Sequence, residues 1–140
     1  MKIYFAASIR GGRQERQLYQ QLILHLQQQH QVLTEHIGDL QLTATGQTQL
    51  SDQAIRQRDI SWLTACDVVV AETTQPSLGV GYELAYAEKL GKPVIILQQS
   101  KHGRLSAMIA GTAYFNRIFT YTTLTEATLI LQRELALLAP

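Results

Sequence analysis

Two uninterrupted apolar runs constrain the fold of this chain more strongly than any other feature. Residues 67–72 read DVVVAE, and residues 93–97 read PVIIL. Neither run alternates between apolar and polar residues, so both faces of each segment must be buried. This pattern is typical of strands in a parallel sheet that is covered by helices on both sides. The two runs therefore predict an α/β domain.

Segments with helical features separate the predicted strands. Apolar residues three and four apart indicate a one-sided first helix. Ser51 and Thr123 can cap two later helices, and Gly91 can end a third. We predict helices over residues 13–29, 52–65, 80–90, 105–110 and 124–138. We predict strands over residues 2–7, 32–34, 67–72, 93–97 and 118–121. With right-handed crossovers, this order predicts a Rossmann-like, five-stranded parallel sheet flanked by helices on both faces.

Bulk composition excludes several classes of protein. The 140 residues suit a single domain, and a net charge of +1 gives no electrostatic case for binding nucleic acid or a membrane surface. No apolar stretch approaches the ~20 residues of a membrane span, and the opening apolar run is too short for a signal peptide. The single Cys66 excludes an internal disulfide and is interpreted as a core residue. We therefore expect a cytoplasmic protein.

Asp59 is the first of two candidate catalytic acids. It lies four residues after Ile55 and three before Trp62, inside the apolar stripe of the predicted second helix. A carboxylate in such a stripe must be paired or face a cavity, because an isolated buried charge is very costly. Two interpretations remain open: a structural salt bridge with Arg10, Arg56 or Arg58, or a catalytic acid that faces a pocket.

Glu83 is the second candidate acid. We expect it in the first turn of a helix that follows a glycine-rich loop over residues 77–81. It could simply be a favourable charge at the positive end of the helix dipole. The loop favours a functional role, because glycine allows a ligand to approach the backbone closely. Two carboxylates about 5 Å apart allow double displacement at a glycosidic carbon.

Three segments are candidates for holding a phosphate group. The first follows the first strand and precedes a helix, and it comprises Ser8, Ile9, Arg10, Gly11, Gly12 and Arg13. It is neither a Walker A loop nor a GxGxxG motif, so neither an NTPase nor a dinucleotide enzyme is favoured. An ordinary turn with surface arginines is the alternative. Ser77 with Gly79 is the second candidate, and Ser106, which could equally be a helix cap, is the third.

Tyr4 and His36 complete the candidate site. Tyr4 lies near the carboxyl end of the first strand, where it could hydrogen-bond a carboxylate or simply pack in the core. His36 follows the second strand at the same edge and could contact a ligand, although a lone histidine is more often structural. The histidines show no metal-ligand spacing, so we expect no metal and no cofactor.

Six blocks of sequence carry a family resemblance. YFAASIRGGR, LTEH, RDISWL, CDVVVAE, TQPSLGVGYEL and GRLSAMI span residues 4–111. In order and spacing they closely resemble the 2′-deoxynucleoside 5′-phosphate N-hydrolases of the nucleoside 2-deoxyribosyltransferase superfamily. The resemblance implies one domain of that type over residues 1–140 and a homodimer. It also implies cleavage of the N-glycosidic bond of a deoxynucleoside monophosphate, to a free base and 2-deoxyribose 5-phosphate.

The same resemblance implies a role for each candidate residue. Glu83 would form a covalent deoxyribosyl intermediate, Asp59 would handle protons, and Tyr4 would orient an acid. His36 would border the base pocket. The residues implied to bind substrate, mainly at its 5′-phosphate, are Ala7, Ser8, Ile9, Arg10, Gly11, Gly12, Arg13, Ser77, Gly79, Ser106, Ala107 and Met108. Of these, Ser106 would be contributed by the neighbouring subunit.

Two departures from the family pattern leave alternatives open. Ala6 and Ala7 stand where the family usually has Cys-Gly, and residues 43–50 do not match clearly, which puts the base preference in doubt. A deoxyribosyltransferase acting on nucleosides is one alternative, although it would need no phosphate-binding serines or arginine. A ribonucleotide hydrolase of the CMP type is another. A non-catalytic nucleotide-binding module is the third, and it would need neither acid.

Overall fold

The computed structural model describes residues 1–10, 12, 15–47 and 49–140. Its five strands form one sheet in which all neighbours run parallel, in the order β2-β1-β3-β4-β5. The strands are β1 (Lys2–Ala6), β2 (Gln31–Val32), β3 (Val68–Glu72), β4 (Val94–Gln99) and β5 (Ile118–Tyr121). The helices are α1 (Arg16–Gln27), α2 (Asp52–Ala65), α3 (Leu78–Lys89), α4 (Ala107–Ala110) and α5 (Leu124–Leu138). The predicted fold class is confirmed.

The apolar runs are buried on both faces because successive side chains of a strand point in opposite directions. All five residues of β3 are buried. Val68 and Val70 belong to a core that includes side chains of α1 and α5, whereas Val69 and Ala71 belong to a second core that includes side chains of α2 and α3. Fully burying each such valine contributes about 1.5–3 kcal/mol. Cys66 lies in the second core, as predicted.

The strand order creates a crevice at the carboxyl edge of the sheet. From β1 the chain moves to β2 on one side, and it then returns to place β3 on the other side of β1. Loops that leave β1 and β3 therefore diverge. In open α/β sheets, ligands bind at such a topological switch point. Thr34 extends the pairing beyond β2, because its hydroxyl oxygen accepts from the Phe5 N–H at 2.8 Å and also lies 2.7 Å from the Phe5 carbonyl.

Side chains cap the starts of three helices, and two of these caps, Ser51 and Thr123, were predicted. The Ser51 hydroxyl accepts a hydrogen bond from the N–H of Ala54 at 3.1 Å, and Thr123 accepts one from the N–H of Glu126 at 3.2 Å. Ser77 caps α3 by accepting from the N–H of Val80 at 3.3 Å. Each cap satisfies a backbone donor that has no partner within its helix, which typically stabilises by ~1 kcal/mol.

Two local predictions are wrong. Residues 78–81 are not a glycine-rich loop but the first turn of α3, because the cap at Ser77 starts the helix earlier than expected. Glu83 therefore lies in the second turn, where the helix dipole is no longer an explanation for it. Residues 35–50, over which we predict neither a helix nor a strand, include a 3₁₀ turn at Glu35–Gly38. Gly38 packs closely there, because a Cβ would lie 3.0 Å from the Cα of Gln20, so a larger residue would require the two segments to shift.

Smaller differences concern the ends of elements. The first helix begins at Arg16, the second strand ends at Val32, and the short helix begins at Ala107. Gly11 and Arg13, two of the predicted phosphate-binding residues, lie outside the described residues. Within the described ranges, no helix combines the length and the apolarity that crossing a membrane requires.

Candidate active site

A cavity of about 600 Å³ opens at the carboxyl edge of β1, between α2 and α3. The structure brings most of the predicted site residues to it. Those that line the cavity are Tyr4, Ala7, Ile9, Arg10, His36, Asp59, Ser77, Gly79 and Glu83. Side chains from four separate segments of the chain therefore converge on one space at the switch point of the sheet.

Tyr4 and Glu83 form the closest polar contact in this cavity. Tyr4 is on the face of β1 that packs against α2 and α3, and it is only 1% exposed. Its hydroxyl donates a hydrogen bond to Oε1 of Glu83 at 2.5 Å. Burial, followed by the negative charge of Glu83, raises the pKa of Tyr4 above its usual value, so the phenol stays a donor. The core-packing and carboxylate-binding interpretations of Tyr4 both hold.

Burial also dominates the electrostatics of Glu83. It raises the pKa of this carboxyl to about 7. The hydrogen bond from Tyr4 acts in the opposite direction, and the nearby charge of Asp59 adds to the rise. A desolvated carboxylate with one oxygen held by a phenol has a defined orientation. Such a group is suited to attack an electrophilic carbon.

Asp59 is both salt-bridged and exposed to the cavity, so its salt bridge does not exclude a role in the cavity. Nε and Nη2 of Arg58 donate to its Oδ1 at 2.9 and 2.8 Å, so it is salt-bridged. It also lines the cavity, with 23% of its side chain exposed. Desolvation raises the pKa of Asp59, and the hydrogen bonds and charge of Arg58 partly offset that rise. The acid is therefore held in place without being removed from the cavity.

Two polar residues of this cavity were not among the candidates predicted from the sequence. Arg58 was named only as one of three possible partners for Asp59, and Gln47 was not singled out. Nη1 of Arg58 donates to Oε1 of Gln47 at 2.7 Å, and both residues line the cavity. The only signal for Arg58 was its position directly before Asp59, and no signal pointed to Gln47.

The first phosphate-binding candidate is only partly assembled around the cavity. Arg10 lines it but pairs with Asp52 at 2.7 Å, and both side chains are mostly exposed, so the pair contributes little stability. Ser8 is fully buried, and its hydroxyl has no hydrogen-bond partner among the residues that the structure describes. Gly12 has a φ of 132°, which a residue with a side chain rarely adopts.

The second candidate lies at the start of α3. The Ser77 hydroxyl caps this helix, and Gly79 leaves the approach open, because a Cβ there would meet only Oγ of Ser77, at 3.7 Å. The first backbone N–H groups of a helix that lack partners within the helix can bind an anion. The start of the 12-residue α3 lines the cavity opposite the loop that follows β1.

The third candidate does not reach the acids within one chain. Ser106 and Met108 line a neighbouring cavity of about 680 Å³, which shares Ser77 and Leu78 with the first. Ser106 caps α4 by accepting from the N–H of Met108 at 3.3 Å. Ala107 is exposed, and Met108 is 86% exposed.

The residues described contain no group of three or more His, Cys, Asp or Glu side chains that could hold a metal ion.

The fold and the cavity define a Rossmann-like α/β protein that carries a carboxylate pair at its ligand-binding edge. The family described as nucleoside 2-deoxyribosyltransferase matches residues 3–116. The chain therefore belongs to the nucleoside 2-deoxyribosyltransferase family.

Curated relatives support this assignment. The 5-hydroxymethyl-dUMP N-hydrolase of Mus musculus is 51% identical over 113 residues, which cover 79% of this chain and 65% of that protein. The chain thus spans slightly less than two thirds of that relative. The enzyme of the same name from Danio rerio is 50% identical, over 81% of this chain and 80% of that protein. A protein of Nematostella vectensis, named putative 2′-deoxynucleoside 5′-phosphate N-hydrolase 1, is 54% identical, over 79% and 76%.

A solved structure supports the fold independently. The Clostridium botulinum CMP N-glycosidase superimposes with a TM-score of 0.72 and covers 96% of this chain and 99% of its own. The two sequences are only 20% identical, so this likeness concerns the fold alone.

Proposed function

We propose that this protein hydrolyses the N-glycosidic bond of 2′-deoxynucleoside 5′-monophosphates, which yields a free base and 2-deoxyribose 5-phosphate. The observation that carries the proposal is the 2.5 Å hydrogen bond from Tyr4 to Glu83 in a cavity that Asp59 also lines. Relatives of about 50% identity are named as N-hydrolases of 5-hydroxymethyl-dUMP, which supports the same substrate class.

In the first step, the carboxylate of Glu83 attacks C1′ of the sugar. An ester bond forms, the C1′–N bond breaks, and its electron pair leaves with the base. Asp59 in its acid form gives that base a proton. Desolvation raises the pKa of Asp59, which favours this proton-bearing form. Tyr4 keeps one oxygen of Glu83 in place, so the nucleophile does not need to be ordered during the reaction.

In the second step, water replaces the enzyme at C1′. Asp59, now ionised, accepts a proton from the water molecule while the water oxygen bonds to C1′. The ester bond breaks and restores the carboxylate of Glu83. Both residues end in their starting protonation states, so no cofactor and no metal is required for the cycle.

The 5′-phosphate would lie between the loop after β1 and the start of α3. We assign its binding to Ala7, Ser8, Ile9, Arg10, Gly11, Gly12, Arg13, Ser77 and Gly79. The exposed pair of Arg10 with Asp52 is weak enough for the guanidinium to exchange its partner for a phosphate. His36 would border the base on the opposite side of the cavity.

A homodimer is part of the proposal. The start of α3 and the short α4 expose large apolar side chains, with Leu78 96% and Met108 86% accessible. A second copy that covers this surface would bury both and bring Ser106, Ala107 and Met108 to the phosphate held at Ser77. Light scattering should then show a dimer, and Met108→Glu should yield monomers that bind the nucleotide more weakly. We also propose a cytoplasmic location.

The test is a panel of each deoxynucleoside monophosphate, its nucleoside and its ribonucleotide, with free base measured by chromatography. Base released only from the deoxynucleoside monophosphates is the expected result. Base exchange among nucleosides would instead indicate a deoxyribosyltransferase. Release from ribonucleotides alone would indicate the CMP-type activity, and no release would leave only a binding module.

A further inference from the structure

We propose that Arg58 is a positioning residue of the active site, which holds the acid Asp59 and the pocket segment around Gln47 with one guanidinium. This inference rests on the proposed function, because it gives Asp59 a catalytic role. It goes beyond that function by assigning two residues that themselves carry out no chemical step. It also predicts separable effects of losing each contact.

The pairing of Arg58 with Asp59 is not a routine contact on a helix surface. Neighbouring positions on a helix do not face each other, and surface ion pairs there join residues three or four apart. Arg58 nevertheless places Nε and Nη2 at 2.9 and 2.8 Å from the same oxygen, Oδ1. Two donors on one oxygen restrict rotation of the carboxyl group. Both of these hydrogen bonds go to Oδ1 and neither goes to the other oxygen, Oδ2.

Packing behind the guanidinium explains how it reaches this position. The guanidinium carbon of Arg58 lies 4.6 Å from the ring centroid of Trp62, four residues along the same helix face. The rings of Trp62 and His36 lie 5.8 Å apart, and Nη2 of Arg58 is 3.5 Å from Nε2 of His36. A stacked guanidinium loses little further freedom on binding, because its plane is already set.

The third donor of Arg58 links helix α2 to the segment that forms one wall of the cavity. Nη1 donates to Oε1 of Gln47 at 2.7 Å, and Gln47 and its neighbour Gly46 both line the cavity. Gly46 has a φ of 76°, and a Cβ there would lie 3.4 Å from Nε of Arg10. One guanidinium thus couples the proton-handling acid to the wall that faces the substrate.

Arg58→Met tests the link to Asp59. Methionine keeps much of the apolar stem and removes every donor. We expect kcat to fall about 10- to 100-fold, because a misplaced catalytic group costs this much. The limb of the pH–rate profile that disappears in Asp59→Asn should move to higher pH, since Arg58 lowers the pKa of Asp59. The other titratable or charged groups that line the cavity with this acid all remain; they are Tyr4, Arg10, His36, Asp52, Arg56 and Glu83.

Gln47→Ala tests the link to the wall. Asp59 keeps its hydrogen bonds to Arg58 in this variant, so we expect kcat to change less than about twofold while KM rises several-fold. This is the signature of losing an interaction that is equally strong in the ground state and the transition state. Gln57→Ala is the matched control, because Gln57 is an exposed residue on the same helix beside Arg58 and does not line the cavity. Equal effects on kcat and KM in Gln47→Ala would contradict the assignment.

Arg58→Lys is the control for a folding defect in Arg58→Met. It keeps the charge but cannot bind Asp59 and Gln47 together in the same geometry, so its kcat should lie between those of wild type and Arg58→Met. Carbon-13 NMR titration of the Asp59 carboxyl, performed without substrate, separates this inference from the proposed function. Inactive wild-type protein would overturn the function. An Asp59 pKa that does not rise in Arg58→Met would overturn the role of Arg58, whether or not the protein is active.

Discussion

Two glutamates at the carboxyl edge of the sheet share the same local chemistry in different surroundings. Glu72 ends β3, is 0% exposed, and accepts hydrogen bonds from the hydroxyl of Tyr121 at 2.9 Å and from that of Thr74. Glu83 accepts one from the hydroxyl of Tyr4. Burial raises the pKa of each carboxyl to about 7. Each has another acid nearby, Glu15 for Glu72 and Asp59 for Glu83. Of the two glutamates, only Glu83 lines the cavity of about 600 Å³, and it shares that cavity with Asp59.

A raised carboxyl pKa therefore reports desolvation of the group and does not by itself indicate a catalytic role. The partners of Glu72 come from the sheet and its loops, so its hydrogen bonds join the end of β3 to β5. The surroundings of Glu83 leave it accessible from the cavity and close to the charge of Asp59. Access from a cavity that it shares with a second acid therefore distinguishes the candidate nucleophile from a structural acid.

The largest expected effect is the loss of turnover in Glu83→Gln. An amide cannot form the covalent intermediate, so base release should fall by at least roughly a thousandfold, measured by chromatography with a deoxynucleoside monophosphate. Binding of the nucleotide, measured by calorimetry, should persist. Glu72→Gln is the control and should keep turnover within about threefold of wild type. Equal losses of turnover in both variants would show that Glu83 is no more important for the reaction than Glu72.

Asp59→Asn should produce the next largest loss. Removing a general acid–base group costs about 10²–10⁴-fold in rate. Because the charge of Asp59 raises the pKa of Glu83, that pKa should also fall in the variant. The pH dependence of kcat/KM measures both effects together. A variant that keeps wild-type kcat would show that Asp59 is only a structural partner of Arg58.

Tyr4→Phe should slow the reaction about tenfold, a loss comparable to one hydrogen bond to a charged group. The ionised form of Glu83 is the nucleophile, so kcat/KM in wild type should rise with pH through about 7. The bond from Tyr4 lowers the pKa of Glu83, and its loss should move this rise to higher pH. Tyr121→Phe, which removes the equivalent bond at Glu72, should leave the profile in place. A shift of the Tyr4→Phe profile to lower pH would refute this account.

Glu72→Gln should have the smallest effect on activity, but it should change the pH dependence of the free energy of unfolding. The folded protein raises the pKa of Glu72 from its usual 4.5 to about 7, so between these values the folded state binds more protons than the unfolded state. The free energy of unfolding should therefore fall as pH rises through this window. Glu72→Gln should remove on the order of 3 kcal/mol of that fall, measured by urea unfolding at pH 5 and pH 8. An unchanged difference between the two pH values would show that Glu72 ionises freely.

The sequence predicted local structure well wherever one local signal dominated. DVVVAE is the central strand, and Ser51 and Thr123 cap their helices as expected. The start of α3 was predicted too late, because glycine disfavours helices in isolation, whereas here the Ser77 cap and the burial of Val80 and Leu84 outweigh that preference. For the candidate site, the types of residue could be predicted from the sequence, but which side chain each of them contacts could not.

The sequence by itself determined the strands, the helices and the layers that they form, because the burial period of a segment is a property of neighbouring residues. Only the tertiary structure decided which side chains meet. Tyr4 and Glu83 are 79 positions apart, and Gln47 reaches Arg58 from a segment without helical or strand periodicity. Such contacts depend on the order β2-β1-β3 and on how α2 and α3 pack against one face of the sheet. The chemistry of the site follows from that packing, since it removes water from Glu83 while leaving the cavity open.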